Sequence, residues 1–387
     1  MSLSTNTINV KLTFSRDPYT YQRKNVEIPL GTNIQIVDLS ITQSTQVLVP
    51  YFSLHLKDSI NFFKDITVTD GSVLQIDVKY VDITLVSQMF SITSFRTELY
   101  PAGINVYIDG YMYIGNTQGN YVLTGRNQGY NNSIASIVAT IADRYKLDKI
   151  ITPTIGVSTW MQGNKSDALF VKYLADRAWY NKNSYFVSAI AYNNGVEKAR
   201  LIFSDVDALL SKSLEKGINN NLMIVAHGSS ETPHLSATSC DYICKGGLEN
   251  KYGGYAYKVV PQNLSLSDSP ISIITIHSNS AISIPMCKEV NRGLIYHVPI
   301  GAKKSNLCEG ILQNTRHRHI ANKTAIIILD KPSHLAPLVP FVLVDYKEDG
   351  AINKQASNSM MFIVASHTLI IRGSSIGERI EAVTMLE

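Results

Sequence analysis

The sequence predicts an α+β fold that is mostly β, with a small antiparallel β-barrel at each end of the chain and α+β segments between them. Three observations carry the prediction. Apolar and polar residues alternate with a period of two over most of the first 125 residues, and short strand-like apolar segments return from Leu222 onward. A helical period appears only in the interval between. Charged residues make up 17% of the 387, against about 25% in ordinary soluble domains, so polarity is carried by Ser, Thr, Asn and Tyr, which suits β structure with large polar contacts. At about 100 to 200 residues per module, the length predicts two to four units. We place a first barrel over 1–125, an α+β middle domain over 126–216, a second β-rich or α+β segment over 217–300, and a second barrel over 301–387 that borrows strands from the segment before it.

Strands are predicted over Ile8 to Phe14, Asn33 to Val37, Gln46 to Leu54 and Val73 to Val86. Ile104 to Ile108 and Tyr111 to Ile114 read as a hairpin turned by Asp109-Gly110, because Asp-Gly accepts the positive φ angles of a type I′ turn. After Gly129 the period changes. Ser133 is a helix cap, and Ile134, Ile137, Val138, Ile141, Ala142 and Tyr145 form one apolar face. A second helix starts at Ser166 with Leu169, Phe170, Tyr173, Leu174 and Ala178 along one side, and Asp167 near its positive end. Ile155 to Trp160 is extended. Tyr185 to Tyr192 and Val196 to Phe203 form a hairpin around Asn193-Asn194-Gly195, and Asp205 to Lys216 is a third helix stopped by Gly217. Strands then follow over Leu222 to Ala226, Gly254 to Val260, Ile271 to His277, Thr324 to Leu329, Phe341 to Tyr346 and Met360 to Ile371, with room for a helix over Ser305 to His319.

Two of these strands echo each other. Met89-Phe90-Ser91-Ile92-Thr93-Ser94-Phe95 and Met361-Phe362-Ile363-Val364-Ala365-Ser366-His367 share Met, Phe and Ser in register. Because β-rich segments flank the middle on both sides, the echo suggests one barrel duplicated at the two ends.

The composition excludes several classes of function. With 35 Lys and Arg against 31 acidic residues, the net charge of +4 is too small and too dispersed for binding nucleic acid through its phosphates. Cys240, Cys244, Cys287 and Cys308 are few for the length, so no disulfide framework is expected and a reducing cytoplasm suits the chain. The N-terminus lacks the pattern of a signal peptide. The apolar run Leu335 to Val344 is about half a membrane span and holds Pro337 and Pro340, so no membrane span is expected.

Candidate chemistry is sparse. Leu222 to Ala226 followed by His227-Gly228-Ser229 resembles the metal-binding strand end of tetrapyrrole chelatases, yet the alternating β and α units that should follow are missing. His227, His234, Cys240 and Cys244 hold the atoms of a zinc site. Their spacing is wrong for a standard finger, and plain thiols are the better reading. Arg316-His317-Arg318-His319 lacks a third metal ligand and reads as a solvated surface run. No nucleophile elbow, phosphate loop, dinucleotide fingerprint or His-Glu-x-x-His is present. No catalytic, cofactor-binding or metal residue is therefore assigned, and Trp160 and Trp179 are expected as core and packing residues of the middle domain.

The stretch from Trp160 to Asp205 carries a family resemblance. Trp160-Met161-Gln162, the Ser166 cap, Phe170-Val171-Lys172-Tyr173-Leu174-Ala175-Asp176-Arg177 and the closing strand Arg200-Leu201-Ile202-Phe203-Ser204-Asp205 resemble the middle of baseplate hub proteins of contractile phage tails, a group that includes the late control protein D family and the hub portion of type VI secretion spikes. Asn322 to Pro332, Leu338 to Val344 and Phe362 to Ile371 resemble the later strands of that family, while Ala178-Trp179-Tyr180 and Phe341 stand where a Gly is common. The resemblance implies a non-enzymatic virion protein, made in the host bacterial cytoplasm and placed in the tail baseplate. It implies a homotrimer joining the hexameric tail tube protein to a trimeric central spike protein, with the tape measure and baseplate wedge proteins as further contacts, no cofactor and no sequence-specific nucleic acid. A peptidoglycan hydrolase and a carbohydrate-binding receptor of the tail are the rival expectations.

Overall fold

A computed structural model describes residues 8–15, 26–64, 66, 68, 72–101, 103–115, 121–180, 184–192, 199–215, 222–226, 235–244, 257–262, 274–276, 295–299, 323–329, 331–333, 335–346, 352–353 and 360–384. The first segment contains β1 (Ile8–Ser15), β2 (Val26–Glu27), β3 (Ile34–Ser44), β4 (Tyr51–Asp58), β5 (Val73–Tyr80), β6 (Ile83–Tyr100) and β7 (Gly103–Met112). Side chains along β4 and β7 alternate in burial, with Phe52, Leu54 and Leu56 inside on one strand and Ile104, Val106 and Ile108 inside on the other. The period-two sequence pattern thus becomes a one-sided apolar sheet face.

The middle contains β8 (Gly129–Asn132), α1 (Ile134–Arg144), β9 (Asp148–Ile151), β10 (Ser158–Met161), α2 (Asp167–Ala175), β11 (Phe186–Ala191), β12 (Arg200–Asp205) and α3 (Val206–Glu215). Both predicted caps are in place, with Ser133 accepting from Ser136 N and Ser166 from Leu169 N. The last part contains β13 (Leu222–Ala226), β14 (Leu235–Cys244), β15 (Tyr257–Gln262), β16 (Ile274–Ile276), β17 (Ile295–Pro299), β18 (Lys323–Leu329), β19 (Pro340–Tyr346), β20 (Ile352–Asn353), β21 (Met360–Arg372) and β22 (Ser375–Thr384).

Strand order gives the architecture. The first barrel-like sheet runs β1-β5-β6-β7-β4-β3, with no pair joining β1 to β3 among the described residues, and the second runs β13-β19-β21-β22-β18-β14, closed into a six-stranded barrel by the β13–β14 pair. Taken in chain order, the two orders are identical. Five strands of each are antiparallel throughout. The sixth differs: β13 is parallel to both β14 and β19, whereas β1 is antiparallel to β5, so the second barrel is mixed where a wholly antiparallel one was expected.

The core explains the continuous apolar runs. Ile224, Phe341, Leu343, Phe362 and Val364 fill the second barrel. Their alternating neighbours Val225, Val342, Val344, Met361 and Ile363 face outward against Ile202, Val206 and Leu210 of the middle segment. Strands covered on both faces read as unbroken apolar sequence.

Several expectations change. Asp109-Gly110 is no turn: β7 runs straight through it, paired to β4 and β6 on its two sides. Gly110 is there for close approach, since an added Cβ would lie 2.2 Å from the Ser91 carbonyl oxygen and 2.7 Å from the Phe52 ring. Tight reversals occur at Val81-Asp82 and Gly373-Ser374, the latter with Gly373 at φ 57°. The expected Gln46 strand begins only at Tyr51, after Pro50. The helix starting at Ser166 was expected to dock on one sheet holding both Trp160 and the hairpin; the two lie in different sheets, β10-β8 and β11-β12-β9, although Trp160 does meet α2 through Tyr173, ring centroids 6.4 Å apart. Ala178 is buried but lies beyond the end of α2. The Asn193-Asn194-Gly195 turn and the helix expected over Ser305 to His319 lie outside the described residues.

Candidate functional site

The buried polar groups hold the frame together. Asp167, fully buried, accepts from Arg144 Nη1 at 2.6 Å, Tyr145 Oη at 2.6 Å and Gln162 Nε2 at 2.9 Å, with Arg126 Nε 3.5 Å away. Burial and the Asp167 charge raise the Tyr145 phenol, so it stays a donor. These contacts tie α1, α2 and the segment that follows β10, and they occupy the carboxylate with structural work.

Asp205 ends β12 and accepts from Tyr185 N at 2.8 Å and Asp207 N at 3.2 Å, while burial pushes its carboxyl up to about 6. In the second barrel His367 Nε2 lies 3.2 Å from Glu378 Oε1, and Ser333 N donates to Glu378 Oε2 at 2.8 Å. Burial would raise the Glu378 carboxyl, but the imidazole and the Ser333 donors outweigh it and hold it below its ordinary value.

The residues singled out in the sequence do not converge. Cys240 is a half-buried thiol in β14, and Cys244 ends the same strand. His227, His234 and Arg316-His317-Arg318-His319 lie outside the described residues. Among the described residues no cluster of three His, Cys, Asp or Glu side chains is placed to hold a metal, and no helix is long and apolar enough to cross a membrane. Trp160 packs against the main core, in keeping with its expected place.

What the fold does bring together is a pair of equivalent barrel edges. Pairing register aligns the two barrels residue by residue. Leu39, Leu54, Ile108 and Phe95 form one row across β3, β4, β7 and β6. Cys240, Ile327, Ile380 and His367 form the matching row across β14, β18, β22 and β21. Two bulges fall in the same places: Val37 and Thr238 are the extra residues in β3 and β14, and Thr93 and Ala365 are the extra residues in β6 and β21. The sequence echo is therefore structural, with Phe90 equivalent to Phe362, both fully buried, and Ser94 equivalent to Ser366.

The barrels join edge to edge. From Ser366 to Ile371, β21 pairs with β3 from Ser44 to Leu39, extended by Thr45 N donating to Ala365 O at 2.9 Å. Thr42 and Thr368 hydroxyls meet at 3.0 Å, and Arg372 Nε donates to Asp38 Oδ1 at 3.0 Å. The junction makes one 14-stranded sheet out of two barrels. The middle segment clamps it, with Ile190 N donating to Leu48 O and Tyr192 N to Gln43 Oε1. Sequence reading missed the junction because the predicted strand Asn33 to Val37 stopped short of Leu39 to Ser44, the stretch of β3 that pairs with β21; the shared Met-Phe-x-x-x-Ser pattern signalled the duplication but not the pairing.

No protein-family model matches the chain, and no curated protein matches it in sequence. Solved structures do. The 43 kDa tail protein of prophage MuSo2 from Shewanella oneidensis matches over 97% of this chain and 98% of its own, with a TM-score of 0.58 at 10% identity. A tail protein from Neisseria meningitidis MC58 matches over 97% and 96%, with a TM-score of 0.52 at 9% identity. A Francisella PdpA–VgrG complex matches over 99% of this chain and 53% of the other, with a TM-score of 0.53 at 9% identity. The chain thus has the fold of these phage tail proteins along essentially its whole length, and that of about half of the chain matched in the PdpA–VgrG complex.

Proposed function

We propose that the chain is a structural baseplate hub of a contractile phage tail or a related injection machine, a non-enzymatic trimer that joins a hexameric tail tube to a trimeric central spike. The observation that carries the reading is the duplicated barrel. A three-fold spike can meet a six-fold tube only through a part that offers both symmetries, and three chains with two equivalent barrels each present six similar units. The chain's low charge and its richness in Tyr, Asn and Ser suit large polar subunit contacts. The tape measure and baseplate wedge proteins are further proposed contacts, and the place of the chain is the virion baseplate. The domain limits at 125, 216 and 300 are retained as proposed units.

Cross-linking mass spectrometry on the particle that carries this chain tests the reading. Cross-links to a tube-forming protein on one side and a spike on the other are expected. Cross-links confined to fibres, or peptidoglycan cleavage by the purified chain, would contradict it.

A further inference from the structure

The junction inside the chain leaves one half of each equivalent edge unused. β5 accompanies β6 only as far as Ser91, with Ile92 N donating to Ser72 O beyond it. From Thr93 to Tyr100 no described strand lies on that side of β6, although the equivalent stretch of β21 is the one that pairs with β3. β13 accompanies β14 only through Ala237. Among the described residues no other strand joins that side of β14, although the equivalent stretch of β3 is the one that receives β21. The β6 edge also exposes two large apolar side chains, Leu99 at 77% and Tyr100 at 55%. A long strand edge with exposed apolar residues is a template for adding another strand.

We propose that the open edge of β6 in one chain pairs antiparallel with β14 of the next, repeating between chains the β21–β3 junction made within each chain. The proposal rests on the trimeric reading above for the number of copies and on the pairing register for everything else. Donor edge and acceptor edge differ, so the contact is head-to-tail and closes into a ring, in which junctions within and between chains alternate. Transferring the observed register through the equivalences Ser94 with Ser366 and Leu39 with Cys240 sets Phe95 opposite Cys244, Thr97 opposite Tyr242, and Leu99 opposite Cys240. Glu98 then faces Asp241, an acidic pair that would repel. Arg96, 3.1 Å from the Glu98 carboxylate, offsets that charge.

The register supplies its own test. Paired residues on neighbouring antiparallel strands have Cα atoms about 4.5 to 5.5 Å apart, within disulfide reach, so one new cysteine opposite the native Cys240 suffices. The full-length Leu99→Cys variant, whose substituted side chain is exposed, is oxidised mildly, its mass measured by light scattering, and its linked peptides mapped. The expected result is a trimer in which most chains carry a disulfide from the introduced thiol to Cys240 of a neighbouring copy. That link should be lost in Leu99→Cys with Cys240→Ser and absent from an Ile83→Cys control on the β5-paired half of the strand. A trimer without that link, or linked through Cys244 in its place, overturns the edge pairing and leaves the hub reading standing. A monomer at every concentration overturns the hub reading, and the edge pairing falls with it.

Discussion

Asp167 shows how a residue noted for one reason works for another. Its place at the start of α2 was legible as a helix-dipole contact, but the structure makes it the shared acceptor for Arg144, Tyr145 and Gln162. Those donors come from positions 5 to 23 residues away in the chain, and no periodicity reports such a meeting. Asp167→Ala would take the carboxylate from a mostly buried guanidinium and leave it only the neutral acceptors Gln128 Oε1 and Tyr130 Oη, a lesion that costs roughly 3 to 5 kcal/mol. Denaturant titration checks it, and a loss below about 1 kcal/mol would show that the network is dispensable. Asp205 gives a pH signature. Its folded carboxyl titrates near 6, above its ordinary 3.8, so the fold binds the proton more tightly than the unfolded chain does. Its contribution is complete below about pH 4 and is lost as pH rises through 6. Asp205→Asn keeps an acceptor for Tyr185 N but cannot ionise. The stability of Asp205→Asn relative to wild type should therefore rise between pH 4 and 7, by on the order of 2 to 3 kcal/mol. A flat difference would mean that the carboxylate is solvated.

At the scale of elements, the helices and their caps were legible because Ser133 and Ser166 precede clear apolar faces. Asp109-Gly110 was misread because a glycine needed for close strand approach and one needed for a turn look the same locally. Only the partner strands decide between them. Gly110→Ala separates the two readings, since at the positive φ of a turn a side chain would cost only about 1 to 2 kcal/mol. Here the new methyl would push into the Ser91 carbonyl and the Phe52 ring, forcing β6 and β7 apart. A loss of several kcal/mol, in the range of severe packing lesions, is expected from thermal or denaturant unfolding, and a loss of only about 1 to 2 kcal/mol would reinstate the turn. The Thr93 and Ala365 bulges were beyond any local pattern. They emerge only when the two strands are compared, and they are what turns a seven-residue echo into an equivalence.

For the whole molecule, the sequence carried the mostly-β class, the flanking arrangement and the hint of duplication. It did not carry the β21–β3 junction, because strand pairing between residues more than 300 positions apart leaves no periodic trace. That junction fixes how one barrel follows another within the chain, and repeating it between chains would close a ring. The central claim is that three copies place their six barrels in one such ring. The symmetry of an electron cryo-microscopy reconstruction of the assembled full-length chain tests it most directly. The account predicts three chains, with first and second barrels alternating around one ring. An assembly of one or two chains, or three chains whose second barrels lie outside the ring of the first, would contradict it.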